Sequence, residues 1–268
     1  MTLAWAGDKR FGIKAFSFVF GYPHVLAVVC AVCLITIVYN NSKYKKFYMF
    51  LTIICECLTT KGPSFIFSFL IIFLTWYFKK KEKVSLKMLT LVFLVCILLG
   101  SFQIENYFLN KNAPRNLFLR YGIITAKEHF PIGTGFGTFG SDMAFKHYSP
   151  LYMKYGFNKL YGMNKKDGSF LNDTYWPMII GQFGIFGLIL YLWIYIKFFK
   201  EIINIKERRT KAITLSLFIY MMIHSMGSAI LTSSEGVMVF IFFSLILNSK
   251  EEINEGYNKS NKTEIIKY

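Results

Sequence analysis

Long apolar runs separated by short lysine clusters dominate the chain. The runs lack the 3.6-residue and 2-residue alternation of half-buried helices and strands, and such unbroken runs are the membrane signature. A bilayer core of about 30 Å needs about 20 apolar residues as helix. The candidate spans are 16–39, 47–60, 63–78, 87–104, 174–198, 212–231 and 236–248. A break at Lys61-Gly62-Pro63 splits the third run from the second, because Pro and Gly interrupt helices. The split also puts Lys43, Lys45 and Lys46 on the same face as Lys79, Lys80, Lys81 and Lys83, as the positive-inside rule wants. A second break at Thr232-Ser233-Ser234-Glu235-Gly236 makes a hairpin of 212–248.

These breaks define an expected fold: an all-α, multi-pass membrane protein of about seven transmembrane helices, N-terminus outside and C-terminus inside. Residues 1–104 hold four spans and 171–248 hold three. The segment 105–170 becomes one large, partly helical extracytoplasmic loop, too long for a simple connector. The polar tail 249–268 is expected to be a disordered cytoplasmic extension. Residues 1–14 lack the basic start, apolar middle and cleavage site of a secretory leader.

Composition agrees with this pattern. Of 268 residues, 54% are hydrophobic and 19% aromatic, above ordinary globular usage. The formal net charge of +16 would suit nucleic acid, but the charges cluster between apolar runs, where lipid headgroups explain them more simply. Cys30 and Cys33 form C-x-x-C, yet all five cysteines lie within apolar runs and no histidine follows at ligand spacing. They read as inert buried thiols, so neither a metal nor a disulfide is expected.

The external loop breaks the charge rule. It carries nine Lys and Arg against four Asp and Glu. Long loops cross regardless of charge, but an anionic ligand is the sharper reading. Arg10, Arg115 and Arg120 are placed outside, and arginine matches phosphate bidentately. Tyr148, Tyr152 and Tyr155 fall on one helical face. That face is either an amphipathic helix lying on the bilayer or a platform for sugar rings. Gly135-Phe-Gly137-Thr-Phe-Gly140 fits the dinucleotide pattern G-x-G-x-x-G, but a helix precedes it and no βαβ unit surrounds it. It reads as a tight turn whose N–H groups are available to an anion.

After the loop, Asp173 and Thr174 are followed by nine residues and then Gly184-Ile-Phe-Gly187. This spacing resembles the O-antigen ligase/polymerase family (Wzy-type polysaccharide polymerases), in which a His occupies the Asp173 position. "RNLFLRYGIITAKEHFPIGTGFGTFG" (115–140) resembles the family's loop element, "TTKGPSFIF" (59–67) its S-R-G segment with Lys61 for Arg, and "RFGIKAFSFVFGYPHVLAVV" (10–29) an earlier element with His24 near the family's Pro-Asn pair. Family members carry further N-terminal spans, so the resemblance implies a short form or missing first helices.

The resemblance implies a metal-independent glycosyltransferase of the bacterial cell membrane, needing no cofactor. It would polymerise undecaprenyl-diphosphate-linked oligosaccharide units. Its partners would be that lipid-linked substrate, membrane lipids and other assembly proteins such as a flippase or chain-length regulator, with no nucleic acid. A ligase of the same family and a lipid-linked-sugar flippase are the alternatives. Catalysis is assigned to Asp173 as general base, with helix N-cap as its rival role, and to Arg115 and Arg120 at the diphosphate. Substrate contacts are assigned to Arg10, Lys61, His129, Gly135, Gly137, Tyr152 and Glu235. His147 is a further titratable candidate. His224 and Glu56 lie within spans as either polar helix contacts or site lining, and Glu56 is placed to pair with Lys61.

Overall fold

The computed structural model describes residues 4–10, 13–40, 43–234 and 236–246. The protein is mostly helical, but its first element corrects the all-α expectation. Strands β1 (Ala4–Arg10) and β2 (Ile13–Phe18) pair antiparallel, with Lys9 opposite Lys14 and Arg10 opposite Ile13. In β2, Ala15 and Ser17 are buried while Lys14 and Phe18 are exposed, the two-residue alternation of a strand with one covered face. The phenylalanines of this stretch therefore belong to a strand and not to the start of a span. The chain turns at Gly21 (φ +73°), and α1 begins at Pro23 and runs to Tyr39.

Three further helices follow: α2 (Lys45–Leu58), α3 (Gly62–Lys80) and α4 (Leu86–Ile104). The expected break between α2 and α3 is present. Thr59 and Thr60 turn the chain, Thr60 at φ +53°, and Pro63 sits in the first turn of α3, where its missing N–H costs nothing. α2, with 14 residues, is about 21 Å long and shorter than a bilayer core. The expected Glu56–Lys61 pair is absent. Glu56 is buried, its Oε2 accepts from Ser68 Oγ at 2.5 Å, and its Oε1 has no hydrogen-bond partner.

Beyond the middle segment lie α8 (Tyr175–Ile203), α9 (Arg208–Gly227) and α10 (Gly236–Ile246). α3 and α8 are long and apolar enough to cross a membrane. A soluble core helix passes the same measure, but only 28% of the α8 window is buried in the protein; Phe186, Ile189, Leu190, Trp193 and Ile196 all face outward. α1, α4 and α10 are apolar but shorter over their described lengths. The core of the bundle is the seam of α3 against α9, where Phe67, Leu70, Leu74, Leu217 and Tyr220 are all buried and the Phe67 and Tyr220 rings lie 4.9 Å apart.

The basic segments meet at one end of this bundle. Lys45 Nζ donates to Val38 O at 2.7 Å and Arg209 Nη1 to Tyr39 O at 3.0 Å, closing the C-terminus of α1. Arg208 pairs with Glu82, and Lys211 Nζ donates to Glu82 O at 3.0 Å. Cations on these carbonyls satisfy the orphan acceptors of a helix end. The polar site lies at the opposite end, by the N-termini of α1 and α3.

The middle segment packs around its own aromatic core. It contains α5 (Pro114–Glu128), α6 (Asp142–Lys146) and α7 (Pro150–Lys154). Phe118, Phe139, Tyr148, Tyr152, Phe157, Met163 and Leu171 form the core. The three tyrosines share no continuous helix, because the chain breaks at Tyr148-Ser149-Pro150 between α6 and α7, with Tyr148 at φ +44°. Tyr152 is 0% exposed, and its hydroxyl accepts from Gly140 N–H at 2.9 Å. This corrects both readings of the tyrosine face: Tyr152 can neither lie on a bilayer nor stack on a sugar. Tyr155 instead ties α7 to α5, donating to Glu128 beside the Lys154–Glu128 ion pair.

Candidate active site

The glycine-rich turn and Gly184, the first glycine of the Gly184-x-x-Gly187 pattern, are two halves of one joint. α8 is broken at Gly184, whose φ of 59° and ψ of −152° are not helical. The turn at 131–137 fills that break. Thr134 and Gly135 N–H donate to Gly181 O and Gln182 O at 3.1 and 2.9 Å, and Ile185 N–H donates to Pro131 O at 3.1 Å. Gln182 closes the joint, its Oε1 accepting from Gly137 N–H at 3.0 Å and its Nε2 donating to Phe139 O at 2.5 Å. A Cβ on Gly184 would stand 2.3 Å from Pro131 O, and one on Gly133 would stand 2.7 Å from Gly181 O. Both positions therefore need glycine for the close approach of two backbones. The N–H groups of Gly135 and Gly137 are spent in this joint, which corrects the expectation that they cradle a phosphate.

The joint sets α5 alongside the first half of α8, and so brings Arg115 to Asp173. Arg115 Nη2 lies 2.6 Å from Asp173 Oδ2. The guanidinium also stacks 4.1 Å from the centre of the Tyr107 ring, while its buried Nε has no hydrogen-bond partner. The N-cap of α8 is Thr174, so the capping reading of Asp173 is corrected: its carboxylate is committed to the arginine. Lys61, at the N-cap of α3, and His24, in the first turn of α1, complete the cluster. Burial pushes the Asp173 carboxyl above the usual aspartate range, against the opposing pull of Arg115, Lys61 and His24.

These four side chains line one cavity of about 1290 Å³. Its remaining wall divides by chemistry. One part is apolar and elongated, made by Leu89, Val92, Phe93, Cys96, Ile97 and Ile104 of α4 with Phe218, Ile219, Met222 and Ile223 of α9. The other is polar, with Asp142, Asn172, Gln182 and His224 besides the Arg115–Asp173 pair. Asn172 Nδ2 donates to Asp142 Oδ1, and His224 Nδ1 shares a 2.9 Å hydrogen bond with Ser228 Oγ. Leu89 and Ile104 are 15 residues apart on α4, so the lining residues of this helix span about 22 Å. No cluster of three metal-ligating side chains occurs among the described residues.

The cavity thus gathers Arg115, Lys61, Asp173, Gly137 and His224 from the sequence-based candidates. Arg120 and His129 do not line it; both are exposed on α5 and at its C-terminal end. Gly135 is an exposed member of the turn, and His147 also lies away from the lining. Arg10 closes β1, but its side chain lies outside those described, and Glu235 and the tail 249–268 lie outside the described residues. Sequence reasoning assigned no role to His24, Asp142, Asn172 or Gln182. Gln182 carried a usable signal, a lone amide inside an apolar run. His24 is 149 residues from Asp173, and nothing local marks the pair as neighbours.

No protein-family model, curated protein or solved structure matches this chain.

Proposed function

We propose that this chain is a multi-pass enzyme of the bacterial cell membrane, with about seven spans and the 105–170 segment on the outer face. In this reading it polymerises oligosaccharide units carried on undecaprenyl diphosphate. The observation that carries the reading is the two-part cavity. Its apolar groove suits a polyprenyl chain, and its cationic end, with Arg115 and Lys61, suits the attached diphosphate.

Transfer requires an acceptor hydroxyl to attack the anomeric carbon. The hydroxyl proton passes to a base, a new carbon–oxygen bond forms, and the bond to the diphosphate breaks with its electron pair leaving on the diphosphate oxygen. Arg115 and Lys61 stabilise the developing charge, an effect that is large in a water-poor site. Asp173 serves as the base: Oδ2 holds Arg115, which leaves Oδ1 for the acceptor proton, and a carboxyl raised from its ordinary value is the better proton acceptor near neutral pH. Arg120, exposed on α5, has no role in this step.

The reading is tested by deleting the gene and sizing the surface polysaccharide. Single repeat units on the cell are the expected result. Full-length polymer stranded on lipid would replace the polymerase by a ligase, and repeat units trapped inside the cell would replace it by a flippase. Complementation with Arg115→Ala, at normal protein level, should leave single units; chains of normal length would overturn the site.

A further inference from the structure

The turn that plugs the break in α8 has an outer side that no described residue covers. Phe130 is 72% exposed, Ile132 68% and Phe136 83%. Three large apolar residues at the tip of one short turn are costly in water; burying one such side chain is worth about 1.5–3 kcal/mol. The exposure is not a floppy accident, because the backbone of the turn is bolted to Gly181, Gln182 and Ile185 of α8. Ile185, whose N–H donates to Pro131 O, begins the outward apolar face of the second half of α8, which continues through Phe186, Ile189, Leu190 and Trp193. The turn therefore extends the face of the helix best suited to contact lipid. Along α5 and its end, Arg120, Lys127 and His129 are exposed, with Glu128 among them paired to Lys154, a mainly basic flank leading to an apolar tip. That is the distribution of an interfacial element on an anionic membrane.

We infer that the Phe130–Phe136 turn inserts into the bilayer and holds the middle segment down on the membrane surface. The partner is the lipid bilayer itself, with acyl chains against Phe130, Ile132 and Phe136 and headgroup phosphates against Arg120 and Lys127. Phe136 also lines the cavity, so the inserted turn forms a sill between the bilayer and the site. An amphiphile then enters sideways from the membrane without crossing water. The inference rests on the membrane reading but not on the polymerase reading.

The test places a photoreactive benzoylphenylalanine at one position at a time in the full chain, reconstituted in vesicles of phosphatidylethanolamine and phosphatidylglycerol. Positions 130, 132 and 136 are compared with Trp193 on the outward face of α8 and with Tyr161, an equally exposed residue of the middle segment (84%). Lipid adducts are counted by mass. Yields at 130, 132 and 136 should match Trp193 and exceed Tyr161 by about tenfold, the partition expected for burying one large side chain. Adducts at Trp193 without adducts in the turn would overturn the insertion and leave the membrane reading standing. Equal yields at Tyr161 would also overturn it, since the turn would be no more buried than any exposed side chain. Absence of adducts at Trp193 as well would bring down the membrane reading itself.

Discussion

At the scale of single residues, the glycines divide by what surrounds them. Gly135 has φ +93° and open space where a Cβ would stand, whereas Gly184 combines φ +59° with Pro131 O at 2.3 Å. Gly135→Ala should therefore cost only the backbone term of about 1–2 kcal/mol. Gly184→Ala should cost that and the clash, about 3 kcal/mol or more. Thermal unfolding in one detergent checks the order; equal midpoints would mean that the joint relaxes freely. Asp173 gives the second residue-scale expectation. Its carboxyl is held above the aspartate range by burial, and in its proposed role as base it must be ionised. Activity is then full above the raised value and falls as pH drops through it, so the acid limb lies at higher pH than for an ordinary aspartate. Asp173→Asn should abolish turnover at every pH, while Asp173→Glu should retain a weak activity with an acid limb. A limb unchanged in Asp173→Asn would assign the titration to another group.

At the scale of elements, Gln182 is the bolt of the α8 joint, since it bonds both Gly137 N–H and Phe139 O. Gln182→Leu keeps the volume but strands two backbone groups, at a cost of about 1–3 kcal/mol for each left unsatisfied. It should loosen the turn and α5 together while α3 and α9 stay packed. Hydrogen exchange would show faster amides at 131–140 and 181–185 with the α3–α9 seam unchanged; acceleration spread evenly over both regions would refute the local joint. The same elements show what was legible in the chain. Gly62-Pro63 announced the start of α3, and the lysine clusters announced one end of the bundle. The β-hairpin was hidden because the phenylalanines of 16–18 read as the front of an apolar run. The break in α8 was hidden because a helix fractured at Gly184 keeps the hydrophobicity of an intact one; only its fit against the distant 131–137 turn explains the glycines. Arg115 and Asp173 were legible through motif spacing, whereas His24 joins them only through packing of the α1 and α3 N-termini.

At the scale of the whole molecule, the cavity links the outward apolar helices to the polar cluster, and the two ends can be disabled separately. Gly100 of α4 lines the groove, and a Cβ there would meet no atom closer than Ile104 Cδ1 at 4.0 Å. A Cβ at this position is free of clash. Gly100→Phe should therefore leave folding intact and obstruct the proposed lipid tail without touching the Arg115–Asp173 ion pair directly. Pocket contacts of a methylene or more change discrimination by about tenfold or more, so the substrate concentration for half-maximal rate should rise by at least that factor while the maximal rate holds. Arg115→Lys should do the reverse. It keeps a charge but loses the forked geometry and the Tyr107 stacking, so the maximal rate falls and the lipid still binds. Measured on one lipid-linked donor in vesicles, opposite responses of the two variants mean that the groove binds and the cluster reacts. A joint fall of both parameters in Gly100→Phe would mean that groove and cluster act as a single site.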